Sequence, residues 1–266
     1  MSTLAAPLDV RLMNLTATLL FTGCALLALA GGVSWTLRHP AFAIARIVVQ
    51  GELAHNNAVT LRANVAPQIA GNFFTVNLRN VRSAFEQVPW VRSAQVRREY
   101  PRTLRVQLQE HRAVAHWGPE SGSSMVNSEG EVFESNGVDA ELDDLPRLMG
   151  PVGTSEQVWA MEQALLPVFD PLGLELSGLE LSARGGWRAS FDGDAAIELG
   201  SGTPPEVVQR TRNFAETLTR VAAQFGRRAD ALESADLRHT GGYALRLRGV
   251  STVAAQGTPR AARTHN

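Results

Sequence analysis

The chain has 266 residues, 44% of them hydrophobic, and a formal net charge of -1. That is material for a membrane segment plus one or two modest globular domains, and it leaves no global charge suited to nucleic acid or an anionic surface. All 25 basic residues are Arg, which reads as compositional bias, and the single cysteine, Cys24, excludes an intramolecular disulfide, CxxC redox chemistry and Cys-based zinc binding.

Leu12 to Leu37 lies between Arg11 and Arg38 and contains no charged side chain. At ~1.5 Å per residue a helix of that span exceeds the roughly 30 Å of bilayer hydrocarbon. Trp35 sits near its far end, where an amphipathic ring meets headgroups, and this favours an anchor. Ala28-Leu29-Ala30 followed by Gly31-Gly32 also fits the small-residue pattern of a cleaved secretory signal, so both readings stand at this point. Cys24 then faces lipid or fills a packing gap. Arg11 against Asp9 before the span, and Arg38 and Arg46 after it, give no positive-inside preference for an N-in chain. The 1–11 tail is nevertheless too small for a working domain, and long following domains translocate largely regardless of charge, so the reading is N-in.

After the span, Phe42 to Gln50 alternates as a strand. Asn56 and Asn57 offer caps for a helix through Ala58, Leu61 and Val65 that stops at Pro67, and Gly71 to Phe74 is a loop with two aromatics to bury. Val81, Ala84, Phe85 and Val88 form a second helical stripe ending at Pro89. Trp90 to Tyr100 and Thr103 to His111 read as a hairpin. The unit 42–112 is thus β-α-α-β-β, with both helices on one face of a three-stranded sheet and an Arg-rich opposite face.

Beyond it, Ala113 to Trp117, Met125 to Asn127 and Val132-Phe133 are short strands, and an acidic loop runs from Asp139 to Asp144. Thr154 and Gln157 make a capping box for a helix through Val158, Met161, Leu165 and Phe169. Leu176 to Ala183, Trp187 to Phe191 and Ala196 to Leu199 are strand-like. Thr203-Pro204-Pro205-Glu206 opens a helix whose face is Val207, Phe214, Leu218, Val221 and Phe225. Asp236 to Arg238 and Tyr243 to Arg248 then pair as strands around Gly241-Gly242, and the tail 251–266 is expected to be disordered.

No GxSxG, HExxH or phosphate loop is present, so no catalytic residue, cofactor site or metal site is assigned. His111 and His116 fall on opposite faces of a strand and do not make a ligand pair. The run Arg92, Arg97, Arg98, Arg102, Arg105 and Arg112 is interleaved with Glu99 and Glu110, which fits a solvated sheet face that also docks protein better than a nucleic-acid surface. Trp90, Trp117 and Trp187 abut apolar strands and read as core.

The stretches FAIARIVVQG, GNFFTVNL and FEQVPWVRSAQVRREYPRTLRVQLQEHRAVAHW resemble the POTRA domain of the FtsQ/DivIB family of bacterial cell division proteins. The likeness continues through VNSEGEVF, LPRLMGP, LSARGGWR and ADLRHTGGYALRL, in order, over nearly the whole chain after the span. The resemblance implies an α+β architecture: a cytoplasmic tail (1–11), an uncleaved N-in transmembrane helix (12–37), a POTRA domain (42–112) and a mixed periplasmic β domain with two helices (113–250). It implies a single-pass type II inner-membrane protein at the division septum, acting as a non-catalytic scaffold without cofactor, nucleic acid or small-molecule substrate. FtsB in the FtsB-FtsL complex is the implied partner of the β domain, and FtsK an upstream partner of the POTRA region and membrane segment.

The resemblance implies an FtsB-binding surface of Arg184, Trp187, Asp236, Leu237, Arg238, His239, Tyr243, Leu245 and Leu247: Arg184 and Trp187 fall in the family's SAR-x-x-W stretch and Asp236-Leu237-Arg238 in its final-strand motif. His239 stands where an aromatic commonly follows that Arg, and Tyr243 is the nearest alternative ring. The pattern of Tyr243, Leu245 and Leu247 fits either a free edge that takes a partner strand or an ordinary core strand. An outer-membrane assembly or secretion factor with POTRA domains would continue into many amphipathic strands, for which the helices at Thr154 and Thr203 leave no room. An anchored periplasmic hydrolase would require a convergent polar site.

Overall fold

The computed structural model describes residues 8–37, 39–51, 53–135, 142–239 and 241–250. The chain forms two compact units that divide between His111 and Arg112. The expected tail disorder at 251–266 and much of the acidic loop lie outside the described residues.

The first unit opens with α1 (Leu8–Leu37), which from Asp9 to Leu37 is long and apolar enough to cross a membrane. It starts inside the expected tail because Leu8 and Val10 extend the apolar run, and Asp9 sits in the first turn, where the helix dipole favours a carboxylate. The hydroxyls of Thr18 and Thr36 each donate to a carbonyl four residues back at 2.7 Å, so these polar groups need no water. The strand expected from Phe42 begins only at Arg46. Pro40 instead opens a 3-10 turn, Pro40–Phe42, closed by the Ala43 amide on the Pro40 carbonyl at 2.9 Å.

There follow β1 (Arg46–Gly51), α2 (Ala58–Val65), α3 (Leu78–Glu86), β2 (Val91–Glu99) and β3 (Thr103–Glu110). β3 is central, parallel to β1 and antiparallel to β2. Leu61 and Val65 of α2 and Val81 and Phe85 of α3 bury the sheet face made by Leu104, Val106 and Leu108. Asn57 caps α2 and Asn77 caps α3, each accepting from the amide two residues on. On the open face the cross-strand rows are Val48-Arg105-Arg97 and Gln50-Gln107-Gln95, so glutamine shares the surface expected to be Arg-rich. Arg98 points the other way, and its guanidinium donates to the Phe73 and Val76 carbonyls at 2.6 Å each. Of the two loop aromatics only Phe73 is buried; Phe74 remains 46% exposed.

Asn56 is not a cap. Its amide and its Nδ2 donate to the Glu110 carboxylate at 3.1 and 2.9 Å, and the Ala54 and His55 amides join at 2.9 and 3.0 Å. A buried carboxylate is tolerable only with such a set of donors, and here they tie the β1-α2 loop to the end of the central strand. The His55 ring stacks on Trp90 at 3.8 Å beside this site, with its Nδ1 3.5 Å from a Glu110 carboxylate oxygen.

The second unit contains β4 (Ala113–Trp117), β5 (Ser124–Asn127), β6 (Val132–Glu134), β7 (Arg147–Met149), α4 (Ser155–Phe169), β8 (Leu176–Leu181), β9 (Gly186–Phe191), β10 (Ala195–Ser201), α5 (Pro204–Gln224), β11 (Leu232–Asp236) and β12 (Ala244–Leu247). Among the described residues its nine strands form one sheet in the order β12-β11-β10-β9-β8-β7-β4-β5-β6. The helices pack on the face formed by Leu148, Leu179, Trp187, Ala189, Ile197 and Leu199.

Two motifs that look alike behave differently. At α5, Glu206 accepts from the Thr203 amide at 2.8 Å, as the capping box requires. At α4 the box does not form: the Thr154 hydroxyl donates backwards to the Pro151 carbonyl at 2.8 Å, drawn into a turn where a Cβ on Gly150 would lie 2.5 Å from it. On α5, Thr211 is buried and Phe225, the expected end of the apolar face, is 50% exposed where the chain leaves the helix. The final hairpin also starts earlier than expected, because Leu232 and Ala235 are the inward residues of β11 and Asp236 is its last.

Glu162 is buried on α4 with Oε2 lacking a hydrogen-bond partner, and burial pushes its carboxyl up to about 7, against a smaller opposing effect of the Gln163 side chain. Its folded value lies above its unfolded one, so the protonated form is favoured by folding. The penalty is absent below the unfolded value of 4.5, develops between 4.5 and about 7, and is complete above that. Glu162→Gln should therefore stabilise the second unit at about pH 8 by at most on the order of 3 kcal/mol, with the gain vanishing near about pH 4. Native-state hydrogen exchange across α4 at the two pH values measures this, and a pH-independent difference would contradict it. In the first unit, Glu110→Ala should lower the opening free energy of the Leu104–Val106 amides by about 2 kcal/mol or more, because it orphans buried donors.

Candidate protein-interaction site

Several of the residues singled out from the sequence converge at one end of β8 to β11. There a groove of about 670 Å³ is lined by Arg184, Arg188, Arg210 and Arg238 together with Glu180 and Glu198. Each enters by a local rule. Arg184 stands exposed at the tip of the β8-β9 turn, where Gly185 supplies a positive φ of 78° and the Ser182 hydroxyl accepts from the Gly186 amide at 2.9 Å. Glu180, Arg188 and Glu198 share one cross-strand row on the open face, and Arg188 pairs with Glu198 at 3.2 Å. Opposite charges in adjacent strands at this spacing fix register more than they add stability.

The groove's floor depends on a bulge. The β9-β10 register slips between Glu198 and Gly200, and Gly200 takes a φ of 80°. A Cβ there would lie 2.8 Å from Arg210 Nη1 and 3.3 Å from the Arg238 Cα, so glycine is what lets these two chains approach. Arg210 reaches from α5 to donate to the Leu199 and Ser201 carbonyls at 2.6 and 3.1 Å, satisfying backbone groups that the bulge removes from the ladder.

Arg238 is gripped by Asp236. Its backbone amide donates to Oδ1 at 3.0 Å, its Nε to the same oxygen at 2.9 Å, and its Nη2 to Oδ2 at 2.6 Å. The side-chain hydrogen bonds of Arg238, then its backbone amide, hold the Asp236 carboxyl down at about 2, and the same contact raises the guanidinium value. The clamp aims an exposed guanidinium at the groove in a fixed posture.

The other singled-out residues divide by exposure. Trp187 and Leu237 are 1% and 0% exposed and are core, and Leu247 is buried beside them. His239 is exposed. Tyr243 and Leu245 are half-buried against the core, with the Tyr243 ring held edge-on to Phe214 at 5.5 Å. Their inward packing leaves Ala244 and Arg246 outward on β12, and Arg246 pairs with Glu233 at 3.1 Å. β12 pairs on one side with β11 and is the last strand of the sheet among the described residues. Sequence reasoning missed Arg188, Glu198 and Arg210. Their signal was the alternation of charge with apolar residues in β9 and β10, but only the register brings them together.

Residues 42–111 match the family described as "POTRA domain, FtsQ-type", and residues 115–238 match "Cell division protein FtsQ/DivIB, C-terminal". Among curated relatives, the cell division protein FtsQ of Thiomonas arsenitoxydans is 36% identical over 246 residues, spanning 92% of this chain and 89% of the relative. FtsQ of Burkholderia pseudomallei is 36% identical over 91% of this chain and 94% of its own length, and that of Bordetella pertussis is 34% identical over 90% and 92%. These matches run through both units and include the α5-β11 region that builds the groove. The chain is an inner-membrane-anchored cell division protein and belongs to the FtsQ family.

Proposed function

We propose that the chain is a non-catalytic scaffold of the divisome, with its N-terminus cytoplasmic, its two units periplasmic and its site of action the septum. In this reading the second unit binds FtsB of the FtsB-FtsL complex by adding a partner strand to β12. The observation that carries it is the position of β12: the last strand of the large sheet among the described residues, its first residue Ala244 paired with Asp236 beside a groove that presents Arg184 and Arg238. Backbone pairing along an open edge supplies affinity without demanding particular side chains, and guanidinium groups next to it select an acidic partner and fix its register. Trp187, Leu237 and Leu247 then support the surface from beneath, while Arg184, Arg238 and His239 touch the partner. Tyr243 contributes through its packing on Phe214, and the contact to FtsK is assigned to the POTRA unit and α1.

Arg238→Glu should reduce recovery of FtsB in a pull-down with the full-length, detergent-solubilised chain by about tenfold, since reversing a charge at a desolvated contact costs several times a rim contact. The variant's fold is verified by unchanged exchange protection in α5. Unchanged FtsB recovery by that folded variant would remove Arg238 from the interface. At the cellular level, depletion of the protein should give filamentous cells without completed septa; normal division would sink the scaffold reading.

A further inference from the structure

The end of the first unit next to α1 carries a second surface. The Asn72 side chain donates to the Leu37 carbonyl, the Phe73 amide to Phe42 at 2.9 Å and the Ala45 amide to Arg102 at 2.9 Å. Three segments are thus fastened to the exit of the membrane helix: the 71–75 loop, the 40–45 turn and the β2-β3 hairpin. Aromatic side chains cluster there. Trp35 on the last turns of α1 is 72% exposed, Phe74 packs edge-on to Phe42 at 5.1 Å, and Tyr100 at the hairpin tip is 85% exposed. Exposed aromatics beside a membrane helix are suited to headgroup depth.

Beside them runs a groove of about 560 Å³ lined by Ile44, Ile47 and Ile69, with Arg46 and Arg62 and, among the described residues, no carboxylate in its lining. Gly71, one residue from the contact to Leu37, also lines it. Glu99, on the same cross-strand row as Arg46 and Thr103, is engaged by both Nε and Nη2 of Arg105 at 3.0 and 2.8 Å. An apolar strand edge flanked by Arg46 from the open face of β1 and by Arg62 of α2 from the other, close to where α1 ends, matches a phosphate headgroup above its glycerol and first methylenes.

We infer that this groove takes the headgroup of an anionic phospholipid from the leaflet into which α1 emerges, and that Phe74 and Tyr100 seat the same end of the unit in the interface. The free side of β1 passes along the same groove, so an added protein strand is the competing occupant. Charge favours the lipid, since strand addition has no need of two arginines beside isoleucine in a groove that no carboxylate lines among the described residues.

The test uses the full chain in nanodiscs of phosphatidylcholine alone and of phosphatidylcholine with roughly 30% phosphatidylglycerol, read by hydrogen exchange. Amides of Ile44–Ile47 and Ile69–Gly71 should exchange about threefold more slowly in the anionic discs, and about 0.5 M salt should remove the difference. Gln87 and Val88, at the far end of β2 by roughly 30 Å, should exchange equally in both. The double variant Arg46→Glu, Arg62→Glu should lose the lipid dependence while Leu104–Val106 stay protected. Equal exchange in the two lipids for the unaltered chain overturns the inference, whatever the variant does. So does protection that arises only when a second division protein is co-reconstituted, which would give the groove to a protein strand.

Discussion

Burial of one stripe of α5 decides which strand ends the large sheet. Val207, Phe214, Leu218 and Ala222 are fully buried against a face that includes Ile197 and Leu199 of β10. A helix laid back over its own sheet returns the chain parallel to the strand it left, so β11 must join β10 in parallel, as its register with Ala196 to Glu198 has it. The hairpin that follows can only go outward. β12 is therefore at the edge because α5 is amphipathic along its length, and the groove lies beside it because the same crossover brings Arg238 over the Gly200 bulge. Weakening the α5 stripe would disturb the edge and the groove together, although no residue of the stripe lines either.

The fold was largely legible from periodicity. Leu104, Val106 and Leu108 alternate cleanly, and the Val81-Ala84-Phe85 stripe could belong only to a helix over them. Where the reading slipped, a longer-range partner had displaced a local preference. Asn56 is a good cap in isolation, but a buried carboxylate 54 residues away claims its amide and its side chain. Thr154 has the spacing of a capping box, but its hydroxyl is taken by the Pro151 turn. Glu162 gave no sign at all, since glutamate at a helical position is ordinary until the neighbouring layer is known. The groove followed the same rule: Asp236-Leu237-Arg238 and Arg184 stood out through a family likeness, whereas Arg188, Glu198 and Arg210 depend on a strand register and a bulge that no local window contains.

The two ends of the large sheet handle exposure in different ways. β6 is three residues long, and the Glu134 carboxylate at its end already accepts from the Ser123 and Ser124 hydroxyls at 3.0 and 2.9 Å. A short edge with its charge engaged offers little backbone to an incoming strand. β12 is only one residue longer, and Arg246, its outward charge, is turned toward Glu233. Length alone therefore does not distinguish the edges.

What distinguishes them is the posture of the charges alongside. Asp236 holds Arg238 through one backbone and three side-chain hydrogen bonds, so the guanidinium is biased toward one posture before any partner arrives. Under the proposed reading, that ordering cost is met during folding and not on binding, and a partner carboxylate meets a guanidinium already fixed in place. The clamp leaves the Asp236 carboxyl ionised down to about 2, so the posture survives any mildly acidic compartment. A short strand edge then needs few backbone hydrogen bonds to hold a partner, because selection and register are supplied by charges positioned in advance.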